Sequence, residues 1–220
     1  MSRIYVHPLP VRVWHWINAA GFLALLVTGL QLRYGILFTL DFRTVVGLHN
    51  SIGFALTANY FVWLVFYLFS DRITVYHPDL DPARHYRDVM RQIAYYGHGI
   101  FKGDPNPSQI SIHQKFNPLQ RMTYQIVMML LVPLQFYTGI VLWDLQRFSG
   151  TVEFLGGARV VSTIHMALTI AFVIFLFVHV YLTTLGRSAG QHIRAMITGW
   201  EESEAAPAGP AAGANSAAPR

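Results

Sequence analysis

Val160–Leu185 reads VVSTIHMALTIAFVIFLFVHVYLTTL. About 20 consecutive apolar residues suffice to cross roughly 30 Å of hydrocarbon as a helix, so this stretch predicts a membrane span. Two histidines interrupt it, His165 and His179, fourteen residues apart. At about 3.6 residues per turn that spacing is close to four turns, which puts both rings on one face, roughly 21 Å apart in depth. An ionisable ring in hydrocarbon costs free energy and persists only with a partner, so the default reading of such a residue is functional.

Working outward, three more runs have the length of a span: about Val13–Leu32, Thr44–Phe69 and Leu119–Trp143. Pro133 falls inside the third, where a membrane helix tolerates a kink if a neighbour satisfies the freed carbonyl. The composition agrees. The chain is 53% hydrophobic and 12% charged, about half the charge usual in a soluble domain. The sequence therefore predicts an all-α integral membrane four-helix bundle over residues 1–202, with a polar loop of about 70–118. Within that loop Asp81–Tyr96 reads as an amphipathic helix with Pro82 at its first position, suited to the membrane surface. Residues 203–220 are rich in Ala, Pro and Gly and are expected to be a disordered tail. A cleaved signal peptide is the competing reading of the N-terminus, but Leu30-Gln31-Leu32-Arg33 follows the apolar core where a small-residue site would be needed. There are no cysteines, which removes disulfides, iron–sulfur ligation and covalent c-type haem attachment. The net charge of +5 is not gathered on one soluble unit, as a nucleic-acid site would require. Four spans place both termini and the middle loop on one side with twelve Lys and Arg, against Arg33, Arg43, Arg147 and Arg159 on the other. The asymmetry predicts cytoplasmic termini and a multi-pass protein of the bacterial inner membrane.

Of ten histidines, His7, His77, His85, His98, His113 and His192 lie in loops or at segment ends, where a solvated or locally bonded role suffices. His15, His49, His165 and His179 lie within apolar spans. Span direction pairs them by depth: His15 with His179 on the cytoplasmic side, His49 with His165 on the outer side. Two axial imidazoles complete six-coordinate haem iron and leave no open position, which suits electron transfer. Four independently hydrogen-bonded core histidines would meet this matching only by coincidence, and structural zinc favours four ligands around one point. Gly29, Gly53 and Gly139 sit near these positions and offer room for a flat group, although small residues also serve helix packing in membranes generally.

With those residues placed, the chain resembles the di-haem cytochrome b subunits of membrane-bound nickel–iron hydrogenase, formate dehydrogenase (gamma subunit) and thiosulfate reductase. The resemblance covers roughly residues 8–202. It rests on Pro10-Val11-Arg12-Val13-Trp14-His15-Trp16, on His49 early in the second span, and on Asn117-Pro118-Leu119-Gln120. His165, His179 and Met196-Ile197-Thr198-Gly199-Trp200 complete it. It implies two b-type haems with His15, His49, His165 and His179 as iron ligands, and a cytoplasmic-side quinone pocket beside Asn117 and Gln120. It also implies that Arg12 lies near the propionates of the cytoplasmic-side haem. Asn117-Pro118 reads equally well as a helix start, with Asn as cap and Pro at the first position.

The expected function is electron transfer between the quinone pool and a periplasmic redox partner that carries iron–sulfur clusters or c-type haems. Closed haem sites select no substrate, and the outer loops, about Tyr34–Arg43 and Asp144–Arg159, are too short to form a redox domain. Phe38, Phe148 and Phe154 are candidate anchors for that partner, though aromatics also belong to the membrane interface. A passive haem-containing anchor and a histidine-relay transporter are the competing functions.

Overall fold

The computed structural model describes residues 2–35, 37, 39–70, 81–108, 117–185 and 190–203. Phe38, His77, His113, Lys115, Arg72, Arg187 and the tail from 204 lie outside the described residues.

The order is β1 (Ser2–Tyr5), α1 (Leu9–Tyr34), α2 (Phe42–Leu68), α3 (Pro82–Ala94), α4 (Pro118–Ile126), α5 (Val132–Trp143), α6 (Ser149–Phe154), α7 (Ala158–Thr183), α8 (Gln191–Thr198) and β2 (Trp200–Ser203). A wide turn, Tyr95–Gly99, and a last helical turn, Ile100–Lys102, extend α3. A second wide turn, Val127–Leu131, joins α4 to α5. Four segments are long and apolar enough to cross a membrane: Leu9–Tyr34, Phe42–Leu68, Pro118–Trp143 and Ala158–Thr183. They form a membrane helical bundle. Its large apolar side chains point outward, for example Phe61 (56% exposed), Val62 (65%) and Phe177 (72%). In water such surfaces would aggregate; in a bilayer they meet acyl chains.

Each span starts a little before its apolar run, and at two of them capping chemistry sets the start. Asp41 accepts the Thr44 N–H at 3.0 Å and the Thr44 hydroxyl at 2.5 Å, and so opens α2. Asp81 accepts the Arg84 N–H at 3.0 Å with Pro82 in the first turn of α3. Asn117 accepts the Gln120 N–H at 2.8 Å, while Gln120 Oε1 accepts the Asn117 N–H at 3.1 Å: a reciprocal capping box. At the other end of α1, Gly35 takes φ 68° and its N–H returns to the Gln31 carbonyl at 2.8 Å.

The wide turn Val127–Leu131 has a specific cause. In it the Val132 N–H reaches the Val127 carbonyl, one residue further back than in an α-helix. The same pattern would assign the Met128 carbonyl to the N–H of residue 133, and Pro133 has none. The Tyr60 hydroxyl of α2 fills the place, donating to the Met128 carbonyl at 3.0 Å. Tyr60 also packs edge-on against Phe136, ring centres 5.6 Å apart.

The contacts gather in two groups, each described by itself. The first comprises Met1–Ile17 and Ile174–Arg220. Here β1 and β2 form an antiparallel pair in the register Ser2↔Ser203 to Tyr5↔Trp200. Neither strand is a sequence expectation. The pair is made by main-chain hydrogen bonds, which leave little pattern in four residues. It includes Ser203, the residue at which the sequence reading starts the tail. Gly199 closes α8 at φ 91°; a Cβ there would lie 2.5 Å from the Tyr5 ring and 2.8 Å from the His7 carbonyl. The second group is Asn18–Val173. Gly21 lets α1 approach α2, since a Cβ would lie 2.7 Å from Leu56. Val45, Val141 and Val161 are almost fully buried, and Val45 and Val161 each precede a histidine by one turn.

Candidate functional site

In the second group, α2 and α7 bring His49 and His165 opposite one another, with ring centres 6.5 Å apart and planes at 70°. In the first group, α1 and α7 bring His15 and His179 together, centres 6.1 Å apart at 48°. A metal-bound imidazole nitrogen lies about 2 Å from the metal, with the ring centre roughly 1 Å further out, so two imidazoles on opposite sides of one ion have centres about 6 Å apart. Both pairs fit one iron held between them.

The surroundings of the two pairs differ. His49 Nδ1 lies 2.8 Å from Thr28 Oγ1, and His165 Nδ1 lies 2.9 Å from Thr138 Oγ1. The Gln135 amide nitrogen is 3.1 Å from His165 Nε2 and donates to Thr169 Oγ1 at 3.1 Å. In the other pair, His15 Nδ1 is buried with no hydrogen-bond partner among the described residues. Aromatic rings dominate there. The Trp16 ring stands edge-on to His15 at 5.2 Å, and Phe175 stacks on His179 at 5.6 Å. Paired imidazoles at metal-bridging separation are a donor set that suits haem iron.

Residues 6–199 match the family described as prokaryotic cytochrome b561. The chain belongs to that family. It is thus a membrane b-type cytochrome, of a kind that serves electron transport as an oxidoreductase subunit, and family membership implies b-type haem. It is similar to "Putative cytochrome YdhU" of Escherichia coli (strain K12), 31% identical over 207 residues, covering 90% of this chain and 75% of the relative. It is also similar to "Probable Ni/Fe-hydrogenase B-type cytochrome subunit" of Rhizobium leguminosarum bv. viciae, 23% identical over 201 residues, covering 82% and 80%. No solved structure matches the chain.

The remaining sequence candidates of this cytochrome have definite places. Arg12 donates through Nη1 to the Ile197 carbonyl, and Trp16 donates to the Met196 carbonyl at 3.2 Å. Both thereby satisfy the C-terminal end of α8, where carbonyls lack helical partners. Arg12 Nε is buried without a partner among the described residues, so the guanidinium, with five donors, retains capacity for an anion. Asn117 and Gln120 form the capping box, and Asn117 also donates to the Tyr96 hydroxyl at 3.0 Å. Burial, and then the neighbouring Tyr95, push the Tyr96 hydroxyl above its ordinary pKa, against the hydrogen bonds of Gln92 and Asn117; it stays protonated at neutral pH. Among the loop histidines, His192 pairs with Glu201 at 3.1 Å.

Sequence reasoning missed Thr28, Thr138, Gln135 and Thr169. One signal was available: Thr-Gly occurs at 28–29 in α1 and again at 138–139 in α5, and Gly29 and Gly139 alone were singled out.

Proposed function

We propose that this cytochrome carries electrons across the bacterial inner membrane between the quinone pool and a periplasmic redox partner. It would use two b-type haems, one held by His15 and His179 and one by His49 and His165. The observation that carries the reading is the pair of imidazole couples, at 6.1 and 6.5 Å between ring centres, in a chain of a membrane cytochrome family. When bound, haem would supply one-electron storage at iron, with His15, His179, His49 and His165 as the residues that would hold it. The chain's own task is to hold the four imidazoles on membrane helices, keep water from them and present a quinone pocket. At that pocket we assign the Gln120 amide, and secondarily Asn117, to the quinone carbonyl, because an amide N–H can donate to it. The Asn117 side chain is already engaged at both its oxygen and its nitrogen, so Gln120 is the better candidate. Arg12 Nε is assigned to a propionate of the His15/His179 haem.

The twelve-to-four excess of Lys and Arg supports cytoplasmic termini, with the His15/His179 pair toward the cytoplasm and the His49/His165 pair toward the periplasm. A relative named as a hydrogenase cytochrome subunit supports a redox enzyme as partner, docked over the periplasmic loops and carrying iron–sulfur clusters or c-type haems.

The test is a reduced-minus-oxidised visible spectrum of the purified full chain, with haem quantified per polypeptide and quinol as reductant. Two b-type haems per chain, both reducible by quinol, are expected. One haem or none would overturn the two-site reading, and haems that dithionite reduces but quinol does not would overturn the quinone assignment.

A further inference from the structure

Thr28 on α1 and Thr138 on α5, each followed by a glycine, do the same thing to two different histidines. Thr28 Oγ1 is 2.8 Å from His49 Nδ1, and a Cβ on Gly29 would lie 3.5 Å from Cε1 of the same ring. Thr138 Oγ1 is 2.9 Å from His165 Nδ1, and a Cβ on Gly139 would lie 3.3 Å from Cε1 of that ring. Each hydroxyl holds a ring nitrogen; the missing side chain at Gly139 lets α5 close against the His165 ring, whereas a Cβ at Gly29 would make an ordinary contact.

The direction of the hydrogen bonds follows from proton count. A threonine hydroxyl has one proton. Thr28 Oγ1 lies 2.8 Å from the Ala24 carbonyl, and Thr138 Oγ1 lies 2.9 Å from the Leu134 carbonyl. A carbonyl can only accept. With the hydroxyl proton given to it, the oxygen accepts Nδ1–H from the imidazole. At His165 a second contact fixes the same tautomer, since the Gln135 amide nitrogen can only donate and lies 3.1 Å from Nε2. A proton on Nδ1 leaves the lone pair on Nε2, the atom a metal would take; at His165 the iron would replace the Gln135 N–H there.

We infer that Thr28 and Thr138 are positioning residues for the His49/His165 haem: each locks its histidine as the Nδ1–H tautomer and raises its electron donation to iron, and Gly139 leaves room for the His165 ring. The inference rests on the proposed ligand assignment. Hydrogen bonds of this kind fix ring orientation and raise ligand basicity, which favours oxidised iron. Among the described residues the His15/His179 pair lacks the device at His15, whose Nδ1 has no partner there.

The test uses the full haem-loaded chain in lipid nanodiscs, with Thr28→Val/Thr138→Val and Thr28→Ser/Thr138→Ser double variants. A redox titration followed by low-temperature EPR is read for each. The His49/His165 component is identified as the one missing from His49→Ala. In the Val variant the oxidised-to-reduced ratio of that component, at fixed potential, should fall by about tenfold, a rise of about 59 mV for one electron. Its EPR signal should shift, the other component should stay in place, and the Ser variant should match the parent. Loss of this haem in the Val variant but not in the Ser variant supports the inference equally. An unmoved potential and signal in the Val variant, or Ser behaving as Val, overturns it. If His49→Ala and His165→Ala remove no haem component, the ligand assignment itself fails, a result distinct from any outcome with the threonines.

Discussion

Gln120 carries two assignments that one substitution separates. Its Oε1 accepts the Asn117 N–H in the capping box, while the proposed quinone contact uses its amide N–H. Glutamate serves the box as well as glutamine does but, ionised, offers no donor. Gln120→Glu should therefore leave thermal stability unchanged and lower the rate at which quinol reduces the haems at least several-fold. Unchanged quinol reduction would reduce Gln120 to a helix cap. The four intramembrane histidines were legible in the sequence because a titratable ring in hydrocarbon has few bland explanations. Thr28 and Thr138 were not. A threonine in a span bonds back to its own helix carbonyl and stands anywhere at little cost, so nothing in its identity shows that its oxygen meets an imidazole. Gln135 was hidden for a similar reason, being one amide in an apolar run.

At the scale of elements, the four spans follow directly from run length, and their true starts from Asp41 and Asn117. The wide turn before Pro133 follows less directly. A proline announces that a carbonyl loses its donor, but only packing shows that Tyr60, on another helix, replaces it. Tyr60→Phe should cost about 1 kcal/mol, read as the unfolding midpoint of the haem-loaded protein in detergent. In a Pro133→Ala background, where an N–H at 133 can serve the carbonyl, the same change should cost clearly less. Equal costs in the two backgrounds would break the link between the proline and the tyrosine. The helix α3 has three faces. Val89 and Gln92 are buried; Tyr86, Met90 and Ile93 are exposed; and Arg84 and Arg91 flank Asp88 at 4.0 and 3.6 Å. Such a helix suits the bilayer surface, exposed apolar stripe inward and arginines among the headgroups. The chain has no cysteine, so single spin labels are clean. Labels at 86, 90 and 93 should be relaxed by oxygen from the lipid, and a label at 87 by a water-soluble agent. Equal access of the aqueous agent to all four would place α3 away from the membrane.

For the whole molecule, hydropathy and the distribution of Lys and Arg carry the expected architecture, and the structure adds the strand pair that ties Ser2–Tyr5 to Trp200–Ser203. No periodicity could have shown that pairing, because it joins the two ends of a chain through backbone groups alone. The proposed partner should dock over the loops opposite the termini. There α6 presents Phe154, 87% exposed, while Phe148 is half-buried and better suited to packing within the chain. Phe154→Glu should weaken crosslinking to the native partner in mildly extracted membranes while leaving haem content unchanged; crosslinking at the parent level would remove Phe154 from the docking surface.

The central claim is that four histidines hold two haems in fixed pairs. Redox difference spectra of four single variants, resolved into their two components, test it most directly. His49→Ala and His165→Ala should each deplete one component, and His15→Ala and His179→Ala should each deplete the other. If His15→Ala and His165→Ala deplete the same component and spare the other, the pairing is wrong, and the account built on it falls.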